Sequence, residues 1–153
     1  MVTVQRATRN DLGPIADLDT IVLGEASRCP FLSNAVRDGE CLVAKSRQRV
    51  VGLAVMDQSF YGHGFISLLI VHPEHRRKGI ARALVEQIKS DCPTEKLFAS
   101  TNKSNGLMQA VCGALGFSRS GQIENLDEGD PEIVYFKRLP NKAAAAEAGR
   151  NMP

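Results

Sequence analysis

Three cationic residues and a glycine, Arg76-Arg77-Lys78-Gly79, stand directly before Ile80-Ala81-Arg82. That run could hold an anion. If a helix opens here, its first backbone N–H groups lack partners inside it and carry a partial positive charge. Gly79 removes the side chain where a ligand would approach the main chain. The combination is a seat for a phosphate-bearing group. Two histidines, His72 and His75, flank Pro73-Glu74 just upstream. They suggest a metal pair, but no third ligand accompanies them at a convincing spacing, so no metal is expected.

The elements that must position this run can be read on either side of it. Ile66 to Val71, broken only by Ser67, is an apolar stretch of strand length, and Pro73 ends any ladder. Ile80, Leu84 and Ile88, flanked by Ala81 and Val85, recur at helical spacing. That helix ends near Ser90-Asp91-Cys92, before Pro93. A strand therefore feeds a basic, glycine-containing turn that opens a helix.

Upstream, Val2 to Arg6 alternates as a strand. Asn10 or Asp11 can cap a helix that tolerates Pro14 in its first turn, with Ile15, Leu18, Ile21 and Val22 as its apolar face. Gly24 and Cys29-Pro30 interrupt it, and a shorter helix is expected from about Phe31 to Arg37. Residues 41–45 and 50–56 read as a hairpin around the polar turn Ser46 to Arg49. Gly52 within it suggests a bulge or close packing. Ser59 to Gly64 reads as a loop.

Downstream, Lys96 to Ser100 is a short strand and Thr101 to Gly106 a polar loop rich in helix caps. Leu107, Met108, Val111, Cys112 and Leu115 share a helical face that Gly116 terminates. Strands follow from Phe117 and over Glu132 to Arg138, separated by the acidic stretch Glu124 to Pro131. This order predicts an α/β domain with a mixed, mostly antiparallel central sheet and helices on both faces. One domain is expected over residues 1–140, with an alanine-rich flexible tail over 141–153.

A chain of 153 residues is long enough to bury a core. Its net charge of +2 is too small to argue for nucleic-acid binding. No apolar run reaches the roughly 20 residues of a membrane span. The four cysteines, at 29, 41, 92 and 112, lack CxxC spacing and read as free thiols. The expectation is a cytoplasmic protein that binds neither membrane nor nucleic acid.

The pattern Arg76-x-x-Gly79-x-Ala81, set between a strand and a helix, resembles the acyl-coenzyme A signature of the GNAT N-acetyltransferase superfamily. Asn105 and, further on, Leu115-Gly116-Phe117 extend the similarity. The resemblance implies acetyl-CoA as co-substrate. It implies that the N–H groups of Arg77 through Arg82, Lys78, Gly79, Ile80 and Ala81 included, grip the diphosphate. It implies that the preceding strand splays from its neighbour and offers Leu69 and Val71 to the pantetheine arm. It gives Asn105 a pantetheine contact, which helix capping would not exclude. It also implies that the N-terminal helical pair overlies the acceptor, and it makes a homodimer plausible. The implied reaction is direct transfer of an acetyl group to a primary amine, on a small molecule or a peptide. The amide near Ile70 or Val71 would polarise the thioester carbonyl.

The sequence departs from the family pattern twice. Cys112 stands where the family's proton-donating tyrosine is usual. A thiol there either donates the proton or is a core residue. The position of the family's strand glutamate holds Phe65. A base must come from His63, Glu128, Asp127 or Glu124, or water must carry the proton. His63 has the intrinsic pKa for the task. The carboxylates could attract a cationic amine, or be a solvated turn. Both departures leave open a non-catalytic acyl-CoA-binding sensor or regulatory module.

Overall fold

The computed structural model describes residues 2–24 and 28–140. The tail expected over 141–153 lies outside the described residues. Seven strands, β1 (Val2–Arg6), β2 (Cys41–Ser46), β3 (Arg49–Phe60), β4 (His63–Val71), β5 (Lys96–Asn102), β6 (Ser118–Ile123) and β7 (Glu132–Arg138), are arranged in the order β1-β2-β3-β4-β5-β7-β6. The helices are α1 (Leu12–Leu23), α2 (Cys29–Arg37), α3 (Ile80–Asp91) and α4 (Gly106–Ala114). β4 and β5 pair in parallel, whereas β1–β2, β2–β3, β5–β7 and β6–β7 are antiparallel. The sheet is thus mixed and mostly antiparallel, as the element order predicts. The described residues divide into two compact units, residues 2–24, 28–56 and 68–88 in one, and residues 57–67 and 89–140 in the other.

In the first unit, α1 and α2 bring Ile15, Leu18, Leu32 and Ala35 into one apolar cluster with Val43, Leu53, Val55, Leu68 and Ile70. Ile21, expected on the inner face of α1, is instead 55% exposed. At 3.6 residues per turn it stands about 120° round the helix from Ile15. Asp11 occupies the position before α1, but its carboxylate reaches backwards rather than capping that helix. It accepts from the Thr8 N–H at 2.8 Å and pairs with Lys45 Nζ at 2.9 Å. Burial works to raise its pKa, yet these partners outweigh burial and hold it below the ordinary value. The entrance of α1 is thereby tied to β2.

A bulge interrupts the β2–β3 ladder. Ala44 faces Gly52 and Lys45 faces Val50, so Val51 is an extra residue. Above it, α3 buries Ile80, Leu84, Val85 and Ile88. An added Cβ on Gly52 would stand 2.8 Å from Ile80 Cγ2 and 3.3 Å from Leu84 Cδ1. Of the two readings of Gly52, bulge and close packing, both hold: it adjoins one and provides the other.

In the second unit, β5 runs between β4 and β7, with Phe98 opposite both Phe65 and Phe136. Phe60 joins them, its ring centroid 5.3 Å from Phe65 and 4.8 Å from Phe98. The segment read as a loop over Ser59 to Gly64 is instead a tight hairpin. β3 runs to Phe60, β4 starts at His63, and only Tyr61 and Gly62 turn the chain. Both turn residues have positive φ, 54° and 80°, as a two-residue hairpin of matching twist needs. Leu107, expected on the inner face of α4, is 55% exposed, and Cys112 is the buried residue of that helix.

Candidate functional site

The anion-seat run lies at the C-terminal end of β4. Pro73–His75 forms a single 3-10 turn, Arg76 is extended, and α3 begins at Ile80. Arg77 and Gly79 both take left-handed conformations, with φ of 63° and 77°. Alternating backbone of this kind gathers successive N–H groups into a concavity suited to an anion. An added Cβ on Gly79 would meet nothing within 4 Å. Packing therefore does not require this glycine; the left-handed backbone and the open approach do. Arg76, Arg77, Lys78 and Gly79 are all exposed, whereas Ile80 is buried and anchors the helix start.

The strand feeding this turn has a defined orientation. His72 N–H donates to the Val51 carbonyl at 2.8 Å, and the Ile70 carbonyl also lies against Gly52 on β3. Successive peptide groups of a strand point to opposite edges. Leu69 and Val71 therefore direct their N–H and C=O groups away from β3. The parallel ladder of β4 with β5 covers Gly64–Ile66 against Leu97–Ala99, three positions of a nine-residue strand.

A groove of about 700 Å³ opens beside the turn, within the size range of small-ligand sites. Its wall includes His75, Lys78 and Gly79 from the turn, Arg47 from the β2–β3 connection and Arg49 from the start of β3. Among the described residues, no carboxylate belongs to this lining. Desolvation lowers the pKa of His75, and Lys78, His72 and Arg49 lower it further, against a small opposing pull from Glu74. The groove is thus a region of positive potential. Arg47 and Arg49 were legible only as a polar turn, because no ligand motif marks them.

The other candidates are spread through the fold. His72 Nδ1 accepts from the Glu74 N–H at 3.1 Å, which caps the 3-10 turn. Among the described residues, no group of three or more His, Cys, Asp or Glu is placed to hold a metal. In the second unit, Asn105 Oδ1 accepts from the Met108 N–H at 3.0 Å and so caps α4. Cys112 is 2% exposed, and burial pushes its thiol up to about 11. His63 is the first residue of β4 and packs on Phe98, with centroids 5.8 Å apart. In the acidic stretch, Asp127 accepts from Asn102 Nδ2 at 2.7 Å and Asp130 from the Ser104 hydroxyl at 2.6 Å. These carboxylates brace the approach to α4. Glu124 accepts from Gln122 Nε2 at 3.2 Å, and Glu128 is exposed.

A family model described as "Acetyltransferase (GNAT) family" matches residues 15–117. The chain belongs to the GNAT acetyltransferase family. As a member it is an acyltransferase. A crystal structure of a GNAT-family acetyltransferase from Bacillus cereus is 41% identical, with a TM-score of 0.86, covering 90% of this chain and 97% of that one. Two more distant structures share the fold. One is the putative acetyltransferase yncA from Salmonella typhimurium with its cofactor acetyl-CoA, 19% identical, TM-score 0.71, covering 90% and 94%. The other is an N-acetyltransferase from Staphylococcus aureus, 18% identical, TM-score 0.73, covering 91% and 99%. A search of curated proteins found no match.

Proposed function

We propose that this chain transfers an acetyl group from acetyl-CoA directly to a primary amine of a small molecule or peptide. The observation that carries the reading is the junction of β4 with α3. There, left-handed Arg77 and Gly79 gather main-chain donors among exposed cations, at the end of a strand whose Leu69 and Val71 turn their polar groups away from β3. The diphosphate would lie on the N–H groups of Arg77 to Arg82, with Arg76 adding charge. Leu69 and Val71 would hold the pantetheine arm, and the family motif adds Asn105. Acetyl-CoA supplies the activated thioester; the protein supplies its orientation. Of the two amides considered for polarising the thioester carbonyl, the strand's alternation favours Val71 over Ile70.

The amine must attack as the free base, and a proton must reach the departing thiolate. Cys112 is poorly suited to that donation because its thiol is buried and raised. Holding both reactants in one orientation can supply much of the rate, and water can then carry the protons. His63 and Glu128 remain the side-chain candidates for a base. The single-domain organisation, a cytoplasmic location and a homodimer belong to the same reading. No helix among the described residues is long and apolar enough to cross a membrane.

The buried cysteine favours a second reading, an acyl-CoA-binding module without turnover. Calorimetry with acetyl-CoA, followed by thiol-release assays over an amine panel, separates the two. Saturable binding with turnover supports the enzyme. Binding without turnover supports the module. No binding to acetyl-CoA sinks both.

A further inference from the structure

We propose that Arg47, in the β2–β3 turn, and Arg49, at the start of β3, hold the 3′-phosphate of coenzyme A, so that the groove beside α3 takes the nucleotide half of the co-substrate. The proposal rests on the acetyl-CoA reading above and adds a second phosphate site to it.

The groove's chemistry selects this ligand. Its rim carries Arg47, Arg49, Lys78 and His75, contributed by separate stretches of the chain; among the described residues no carboxylate lines it, and Glu74 opposes these cations only at His75. Like charges gathered in a concave wall raise the local concentration of anions. Val2 and Ala83, both partly exposed, give the same groove apolar surface, which suits a flat base or a ribose edge. A cationic rim over an apolar floor fits a phosphorylated nucleoside better than a bare polyphosphate. The groove also runs up to Lys78 and Gly79, where the diphosphate is proposed to sit. In coenzyme A, one ribose separates the diphosphate from the 3′-phosphomonoester. Guanidinium groups match a phosphomonoester well, because their planar fork can donate two parallel hydrogen bonds.

The turn that presents these arginines is costly in itself. Arg47 and Gln48 both have positive φ, 50° and 67°. Such a two-residue hairpin turn favours Asn-Gly. Both residues are exposed, so burial does not compensate for the conformation. Arg47 nonetheless stands at the first of these positions, where it lines the groove.

The geometry also supplies a clean variant. Arg47→Asn removes the cation while placing a residue that tolerates the left-handed backbone, so the hairpin keeps its fold. Arg49→Gln removes the second cation at an exposed strand end. Calorimetry on the full chain with coenzyme A and with dephospho-coenzyme A, which lacks only the 3′-phosphate, reads the effect. Thermal melting of the double variant checks its fold. The wild type should bind coenzyme A at least roughly tenfold more tightly than the dephospho form, the scale of a charge-assisted hydrogen bond. The double variant should bind both alike, at the wild type's dephospho affinity. Equal binding of the two ligands by the wild type overturns the assignment, as does a preference that survives in the double variant; in either case the diphosphate seat stands. If the wild type binds neither ligand, the acetyl-CoA reading falls and takes this site with it.

Discussion

Gly52 lies beneath Ile80 so closely that a methyl group on its α-carbon would stand 2.8 Å from Ile80 Cγ2. The neighbour is a stiff β-branched side chain, and the Ile70 carbonyl closes the same space at 3.3 Å. Nothing there can swing aside cheaply. Gly52→Ala should therefore destabilise the protein by about 1–3 kcal/mol, the usual cost of overpacking. Urea denaturation measures that loss. Because Ile80 begins α3, the same variant should weaken acetyl-CoA binding. Unchanged stability would show that α3 does not depend on this contact.

His75 should titrate below the ordinary histidine value. Desolvation and the nearby Lys78, His72 and Arg49 all disfavour its imidazolium, and Glu74 only partly opposes them. The folded state thus holds this proton less tightly than the unfolded chain. Its contribution to stability is present above the unfolded pKa, near 6.5, and is lost as pH falls through the folded value. NMR titration of the ring reads the pKa directly. Arg49→Gln should move it upward, as should a bound phosphate. An unmoved pKa in both cases would disconnect His75 from the groove's charge.

Buried thiols make the fold sensitive to alkali. Burial raises Cys41 to about 12, with Asp11 adding to the effect, and raises Cys112 to about 11, both from an ordinary 9.0. The unfolded chain releases these protons first. Their stabilisation is complete below about pH 9 and declines as pH climbs towards the folded values. Melting temperatures across that window test this, and a flat profile would contradict it. At neutral pH, alkylation of the native protein should strike the partly exposed Cys29 first and spare Cys41, Cys92 and Cys112.

Cys112→Ala separates core from chemistry. If the thiol only packs, turnover should equal that of the wild type while stability falls slightly. A large drop in kcat with KM unchanged would return Cys112 to the reaction.

Asn105 is expected to show two separable effects. Asn105→Ala removes the side-chain acceptor of the Met108 N–H and should cost about 1 kcal/mol of stability, as lost helix caps do. Asn105→Ser or Asn105→Asp keeps a cap and should restore that stability. If Asn105 also binds pantetheine, the capping replacements should still raise the KM for acetyl-CoA. A KM that recovers with stability would leave Asn105 as a cap alone.

The parts of the molecule that were legible were those with local causes. The strand, basic turn and helix around Gly79 announce themselves through periodicity and residue type, and the element order predicts the sheet class. Gly62-His63-Gly64 was opaque because two glycines so close together look like a loop. Gly64 is there for packing: an added Cβ would stand 2.5 Å from Cys92 Sγ, a residue far along the chain. Ile21 and Leu107 lie outside the buried stripes of their helices, whose width apolar residue type does not reveal. The arginines at 47 and 49 gave no sign, since their neighbourhood with Lys78 and His75 exists only once β2, β3 and α3 have packed. Cys112 was legible as an apolar-face residue, but the direction of its titration depends on the folded surroundings.

The left-handed pair at Arg47 and Gln48 has a practical consequence for anyone breeding a sturdier version of this protein. Selection for heat tolerance would favour Asn or Gly at those two positions, because the relaxed hairpin is the easier one to keep. A winner that replaces Arg47 would carry a smoother turn and, on the phosphate assignment proposed above, a blunted preference for the complete coenzyme. Laboratory evolution could therefore discard the protein's discrimination without any of the screened properties registering the loss.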